Sequence, residues 1–310
     1  MRSSHFGLVV LAAVLWGTGG VAGALLADHS DVPAVSVAMW RMVIAGVALT
    51  LLLAVTRRLS PRSLSAPMVR RILLTGALTA LFEVLYFGAV ALAGVSLATL
   101  ATIGSAPLWV AVADAVVGRT RPAPRTVAAL ALALAGLVAL LGGSIDAGNA
   151  ALAGVGVALA AGAAFASLTF ANRRPVPGLG AVRLTALSFS AGGVMLVPVA
   201  LIGGWGVPHG VGGWGYALAL GIVSTACAYV AYLTGLVTVP PFVATIVTLL
   251  EPLVAAVLGA LVLSESIGPW GIAGGAALAC AIILLRPQRD GAEAPAVTPY
   301  DGSGFPSRQE

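Results

Sequence analysis

Residues 240–267, PPFVATIVTLLEPLVAAVLGALVLSESI, decide how the rest of the chain is read. The stretch is long enough for a helix that crosses a bilayer, which needs about 20 apolar residues. It begins on Pro240 and Pro241 and carries Glu251-Pro252 near its midpoint. A proline removes a backbone donor and crowds the carbonyl four residues earlier, here that of Thr248, so the helix kinks. A carboxylate beside that kink costs about 2.5–3.5 kcal/mol if it faces hydrocarbon. A span both broken and charged at mid-depth therefore belongs against a water-accessible cavity inside a helix bundle. That points to a transport site. The competing reading is a proline kink whose neutral, hydrogen-bonded glutamic acid serves packing alone.

The composition fits this environment. Of 310 residues, 59% are hydrophobic and 9% charged, whereas soluble domains carry about 25% charged residues. An all-α integral membrane protein follows, and a soluble repeat protein or a disordered chain is excluded. The pI near 9.9 is not a nucleic-acid footprint. All 16 basic residues are arginine and most sit in short loops, which is a topology signal. Cys227 and Cys280 lie within apolar runs and read as small buried hydrophobes rather than a disulfide or metal pair. No HExxH, GxSxG, Asp-rich or His/Cys metal cluster, or Walker A loop occurs, so no catalytic residue, metal or cofactor is expected. A channel-like facilitator is the first alternative to a carrier. A multi-spanning intramembrane enzyme, for which no motif is found, ranks below it, and a receptor or assembly subunit stays open without the soluble domain expected of it.

Ten apolar runs of spanning length can be marked, at 6–26, 34–55, 72–93, 96–118, 126–143, 151–171, 182–203, 214–236, 241–263 and 267–285. Ala22-Gly23-Ala24 offers a signal-cleavage pattern after the first run, but that run is too long for a signal core and reads as a helix. Arg57, Arg58, Arg62, Arg70 and Arg71 lie between the second and third runs, and Arg119, Arg121 and Arg125 between the fourth and fifth. Arg173, Arg174 and Arg183 follow the sixth, and Arg286 and Arg289 follow the tenth. The alternate loops hold Asp28, His29, Asp31, Asp146, His209 and Glu265 and no arginine. The positive-inside rule then places both termini in the cytoplasm and the chain in the cell membrane. Residues 286–310, rich in Pro, Gly and Ser, read as a disordered cytoplasmic tail.

The chain also repeats itself. An offset of 145 aligns Gly76 with Gly221, Phe87 with Tyr232 and Pro107 with Pro252 without a gap. Residues 6–143 and 151–285 thus form two five-helix units. Five is odd, so the second enters the membrane from the opposite side. Inverted repeats of this kind mark secondary transporters, with the site near the midplane at the repeat interface.

Several of these residues carry a resemblance. Trp16-Gly17, Arg41 and Ser105-Ala106-Pro107 in the first half, with Leu250-Glu251-Pro252, Glu265, Gly271 and Gly274-Gly275 in the second, resemble an EamA-type member of the drug/metabolite transporter superfamily. The similarity runs over nearly all of residues 6–285. It implies a ten-helix basket around a central cavity, and export or facilitated passage of small metabolites, often amino acids or related compounds. The match is incomplete in the loops, because Glu265 follows the ninth run where Arg119-Thr120 stand after the fourth.

Polar residues recur at helical spacing on several spans. Glu83 shares a face with Tyr86 and Phe87, Thr225 with Tyr229 and Tyr232, and Thr245 with Thr248 and Glu251. Ser96, Thr99, Thr102 and Ser105 recur at every third position. Taken singly, such residues often serve interhelical hydrogen bonding. Together they suit a cavity for a small amphiphilic solute. Substrate contacts are expected at Glu83, Tyr86, Phe87, Thr102, Tyr229, Tyr232, Thr248 and Glu251. Glu251 and Glu83 are also the candidates for proton coupling, since burial disfavours a charged carboxyl and a nearby cation favours it; the alternative for Glu83 is a protonated acid bonded to a neighbouring helix. Pro107 and Pro252 are expected to kink their helices and free the carbonyls of Ile103 and Thr248 as acceptors. Arg41, about 10 Å into the second run, has three options: pairing with a carboxylate, binding a substrate carboxylate, or snorkelling outward, the last or a structural pair being favoured. Asp114 is expected to pair at the interface near Arg119–Arg125. Gly19 with Gly23, and Gly271 with Gly275, form small-xxx-small patterns. Trp205, Trp214 and Trp270 read as interfacial anchors. The expected partners are a small solute, lipid and protons, with the chain acting as a monomer or homodimer.

Overall fold

The computed structural model describes residues 1–57, 64–118, 122–141, 150–262 and 268–286. Among these the architecture is helical throughout. The helices are α1 (Ser3–Ser30), α2 (Ala34–Val55), α3 (Ala66–Ala113), α4 (Pro124–Leu141), α5 (Ala151–Asn172) and α6 (Ala181–Gly203), followed by α7 (Gly210–Gly221), α8 (Ala228–Gly235), α9 (Pro241–Val247), α10 (Leu250–Val262) and α11 (Pro269–Leu285). Short π-helical turns at Asp114–Gly118 and Ile222–Cys227 extend α3 and join α7 to α8. Eight helical stretches are long and apolar enough to cross a membrane, with Pro269–Leu285 a shorter apolar helix. One stretch, Ala66–Val116, has 51 residues. At 1.5 Å per residue it would reach about 75 Å if straight, more than twice a hydrocarbon core of about 30 Å. It turns at Gly94, whose φ of 76° and ψ of 163° break the helix. Glycine alone adopts that geometry without a Cβ penalty.

The first run is built into the bundle: Val9, Ala12 and Ala13 of α1 are fully buried. α2 packs on α6, α4 on α11, α3 on α5 and α6, and α1 on α7, α8 and α10. α4 and α11 cross backbone to backbone. A Cβ on Gly136 would sit 2.7 Å from the Gly274 carbonyl oxygen. The small-residue patterns are partly corrected here. Gly274 makes the backbone crossing and Gly275 meets Leu253, whereas Gly23 faces open space.

The two ends of the bundle differ in chemistry. At one, the His5 ring and the Thr238 hydroxyl share a hydrogen bond of 2.9 Å, and Arg71 donates to the carbonyls of Ala171 and Arg174. Arg173 pairs with Asp114 at 3.3 Å there and lies over the Phe170 ring. Asp114 thus pairs with a cation from the chain after α5; of the arginines expected beside it, Arg119 and Arg121 lie outside the described residues. At the other end Trp40 donates to Gly206 O at 2.9 Å and clusters with Trp205 and Trp214, while the Ser30 hydroxyl accepts from His209 N–H at 3.1 Å. Cys227 and Cys280 are exposed free thiols. Position in an apolar run did not bury them, because such runs also form the lipid-facing surface. Arg58, Arg62, Arg119, Arg121, Asp146, Glu265, Arg289 and the tail beyond Arg286 lie outside the described residues.

Candidate functional site

The span from Pro241 to Val262 is divided in two. α9 ends at Val247, Thr248 and Leu249 form a turn, and α10 starts at Leu250. Within the turn Leu249 N–H donates to Ile246 O at 3.1 Å and Glu251 N–H to Thr248 O at 3.0 Å. These bonds reach back three residues instead of four, tightening the helix where Pro252 cannot donate. The Thr248 carbonyl is therefore occupied, not a free acceptor as the proline alone suggests. The Thr248 and Thr245 hydroxyls also turn back onto their own helix. Pro107 lies inside helical α3, whose non-helical residue is Gly94.

The break carries Glu251 to the wall of a cavity of ≈ 70 Å³. Its polar lining comprises Arg41, Glu83, Thr102, Thr248 and Glu251, and its rings are Trp16, Phe82, Tyr86, Phe165 and Tyr229, with Ile103 completing the wall. A water needs roughly 10–15 Å³ of such space, so a polar pocket of this size admits several. Arg41 Nη1 lies 3.4 Å from Glu83 Oε1, with Glu83 only 1% exposed. Arg41 Nε donates to Thr225 Oγ1 at 3.1 Å, and Thr225 donates in turn to Leu220 O, five residues back, at 2.8 Å. The π-helical turn at Ile222–Cys227 is what allows that reach, and π-bulges recur where a helix must aim a side chain. Arg41 is thus in a structural pair and also faces the cavity.

Six of the eight expected contact residues line the cavity: Glu83, Tyr86, Thr102, Tyr229, Thr248 and Glu251. The other two stand one layer behind. Tyr232 is fully buried, shares a 2.8 Å hydrogen bond with the Thr169 hydroxyl, and packs on Trp16 and Phe165. Phe87 backs Tyr86 edge-on at 5.5 Å. Tyr232→Phe should consequently cost only the modest energy of a neutral hydrogen bond, about 0.5–1.5 kcal/mol, and leave substrate affinity unchanged; a binding titration on the purified variant checks this. The contacts expected from sequence do not include Trp16, Phe82 and Phe165, and Ile103 is expected only through its carbonyl, since an isolated aromatic or aliphatic residue in an apolar run has no marker of which way it faces. Among the described residues no group of three or more His, Cys, Asp or Glu could hold a metal.

Gly17 sets the position of the acid. A Cβ there would meet Val254 Cβ at 2.5 Å and the Glu251 carbonyl oxygen at 2.9 Å. Gly17→Val should push α10 away from α1 and reduce transport several-fold with the fold retained, a result readable from flux per folded molecule.

Comparison with known proteins agrees with this architecture. The EamA-like transporter family matches twice, over residues 5–142 and 152–286. The uncharacterized transporter YwfM of Bacillus subtilis (strain 168) is 32% identical over 273 residues, covering 87% of this chain and 89% of that one. A solved crystal structure sharing 20% identity superposes with a TM-score of 0.77 over 92% of this chain and 96% of its own. The helical bundle and these similarities define a multi-pass membrane protein of the transporter class. The chain belongs to the EamA-like transporter family.

Proposed function

We propose that the protein is a secondary carrier of the cytoplasmic membrane that exports small amphiphilic metabolites, amino acids or related ammonium compounds, by alternating access with proton linkage. The observation carrying this reading is the cavity itself, where Arg41, Glu83 and Glu251 meet beneath a wall of aromatic rings. The ionisable groups facing it are Arg41 from α2, Glu83 and Tyr86 from α3, Tyr229 from α8 and Glu251 from α10. Intramembrane ionisable residues are retained for ion and substrate pathways.

Counting 66–93 and 95–116 as separate passages, and Pro269–Leu285 as one, gives ten spans in two inverted units, 6–143 and 151–285. Two observations support this division. The family matches each half separately, and the packing exchanges under the offset of 145. Gly76 of α3 abuts Ser188 and Gly192 of α6, while its counterpart Gly221 of α7 abuts Arg41 and Ile44 of α2. With the arginine-bearing end cytoplasmic, the packing of α9 supports reading this as a state closed toward the inside. α9 at that end packs against α1, α3, α4, α5 and α11, whereas α10 beyond the break packs on α1 and α11. Rocking of the two units about Thr248–Leu249 would reverse the asymmetry.

The test is Glu251→Gln in proteoliposomes. The expected result is folded protein whose flux has lost its pH dependence or whose substrate binding is lost. Transport unchanged across the pH range would reject the role. Saturable, counter-substrate-stimulated flux supports a carrier, and ohmic single-channel currents would instead establish a pore.

A further inference from the structure

Within the carrier reading above, on which this inference rests, we propose that the cavity selects a monocation, the ammonium head of a small aromatic amine that carries no carboxylate. The argument starts from charge. Arg41 is the one cation among the lining residues, and it is already engaged: Nη1 faces Glu83 Oε1 at 3.4 Å and Nε donates to Thr225 at 3.1 Å. Among the described residues the ion pairs are Arg41–Glu83 and Arg173–Asp114, and neither reaches Glu251. Arg41 also acts on Glu251 at longer range, but its single charge is shared between two carboxylates and is paired at close range with Glu83. Glu251 is thus the lining carboxylate outside an ion pair, and the cavity keeps one negative charge in excess.

The unmet hydrogen-bonding capacity points the same way. Glu83 Oε2 and Thr102 Oγ1 have no partner, although both residues line the cavity and are 1% exposed. Two oxygens buried without partners, one of a carboxylate and one of a hydroxyl, beside a second carboxylate, suit a donor with several N–H bonds, which an ammonium supplies. A zwitterionic amino acid would bring the same ammonium together with a third carboxylate, facing an arginine that Glu83 already holds. Like charges in a low-dielectric site repel strongly, so the carboxylate is the group the cavity excludes.

The rings complete the match. Tyr86 stacks on Phe82 at 6.0 Å, Phe82 meets Phe165 at 5.6 Å, Phe165 meets Trp16 at 5.9 Å, and Trp16 meets Tyr229 at 5.0 Å. All five lining aromatics thus form one unbroken chain around the acidic groups. Ring faces are electron-rich and attract cations, and their edges pack against another ring.

Matched pairs differing only in the α-carboxylate test this directly. Purified full-length protein in proteoliposomes is assayed for counterflow of 2-phenylethylamine against phenylalanine, and of tyramine against tyrosine. The amines should exchange at least about 100-fold better than their amino acids, the scale on which an uncompensated charge is penalised at mid-depth. Glu251→Gln should abolish amine exchange, whereas Glu251→Asp, which keeps the charge and controls for folding, should retain part of it. Equal or better exchange of the amino acids overturns the monocation proposal and leaves the carrier reading standing. Exchange of neither member of any pair also overturns it, and a broad metabolite panel on the same vesicles then decides whether the carrier reading falls too.

Discussion

Arg41→Met should be the most damaging single change in the site, lowering stability by about 3–5 kcal/mol. Glu83 is 1% exposed and has its one ion pair with Arg41. Removing the cation leaves that carboxylate buried without compensation, and breaking a buried pair from one side costs an amount of this order. The loss should be specific to the orphaned charge. In the double variant Arg41→Met/Glu83→Leu, with both charges gone and the volume roughly kept, most of the stability should return, because apolar replacements of buried pairs are near neutral or better. Thermal unfolding of the two variants in detergent reads the difference. Equal destabilisation of single and double variants would mean that packing, not charge, holds the centre together.

Gly274→Leu should prevent assembly of the bundle. A Cβ on Gly274 would lie 2.6 Å from Leu140 N, and the facing Gly136 leaves equally little room, 3.0 Å to Leu278 N. Both neighbours are backbone, so no rotamer change makes space. Helices in membranes associate largely through close packing at small residues, and forcing extra methylenes into a filled contact costs typically 1–3 kcal/mol, more where backbone must shift. Loss of monodisperse protein on size exclusion is the expected result. Gly215→Leu, at a glycine with nothing within 4 Å of its would-be Cβ, should elute as the parent does.

These two cases separate what the sequence discloses from what it hides. The helical class follows from hydrophobic runs whose lengths match a bilayer, and Glu251-Pro252 marks where a span breaks and an acid faces inward. Which polar residues share a face of one span was also legible, and Glu83 with Tyr86 on α3, Tyr229 on α8 and Thr248 with Glu251 beside the break do line one cavity. Relations between distant spans were not. Arg41 with Thr225, Asp114 with Arg173, and Gly136 with Gly274 are set by how helices cross, and nothing local to either partner encodes the crossing. The π-helical turn that aims Thr225 has no residue signature, and Tyr232 shares its helical face with Tyr229 yet stands behind Trp16 and Phe165. The proline rule located the kink but not its hydrogen bonds, because a tightened turn gave the Thr248 carbonyl a new donor in Glu251.

In the carrier proposed above, water reaches the polar cavity from one side of the membrane at a time. The most direct test is chemical labelling of Thr102→Cys, at a buried hydroxyl on the cavity wall, in a background where Cys227 and Cys280 are replaced by alanine. A membrane-impermeant thiol reagent applied to oriented vesicles should modify the cysteine from the face opposite the arginine-rich loops, with transported solute slowing the reaction. No modification from either face, with or without solute, would mean that the cavity is sealed from water and is not a transport site.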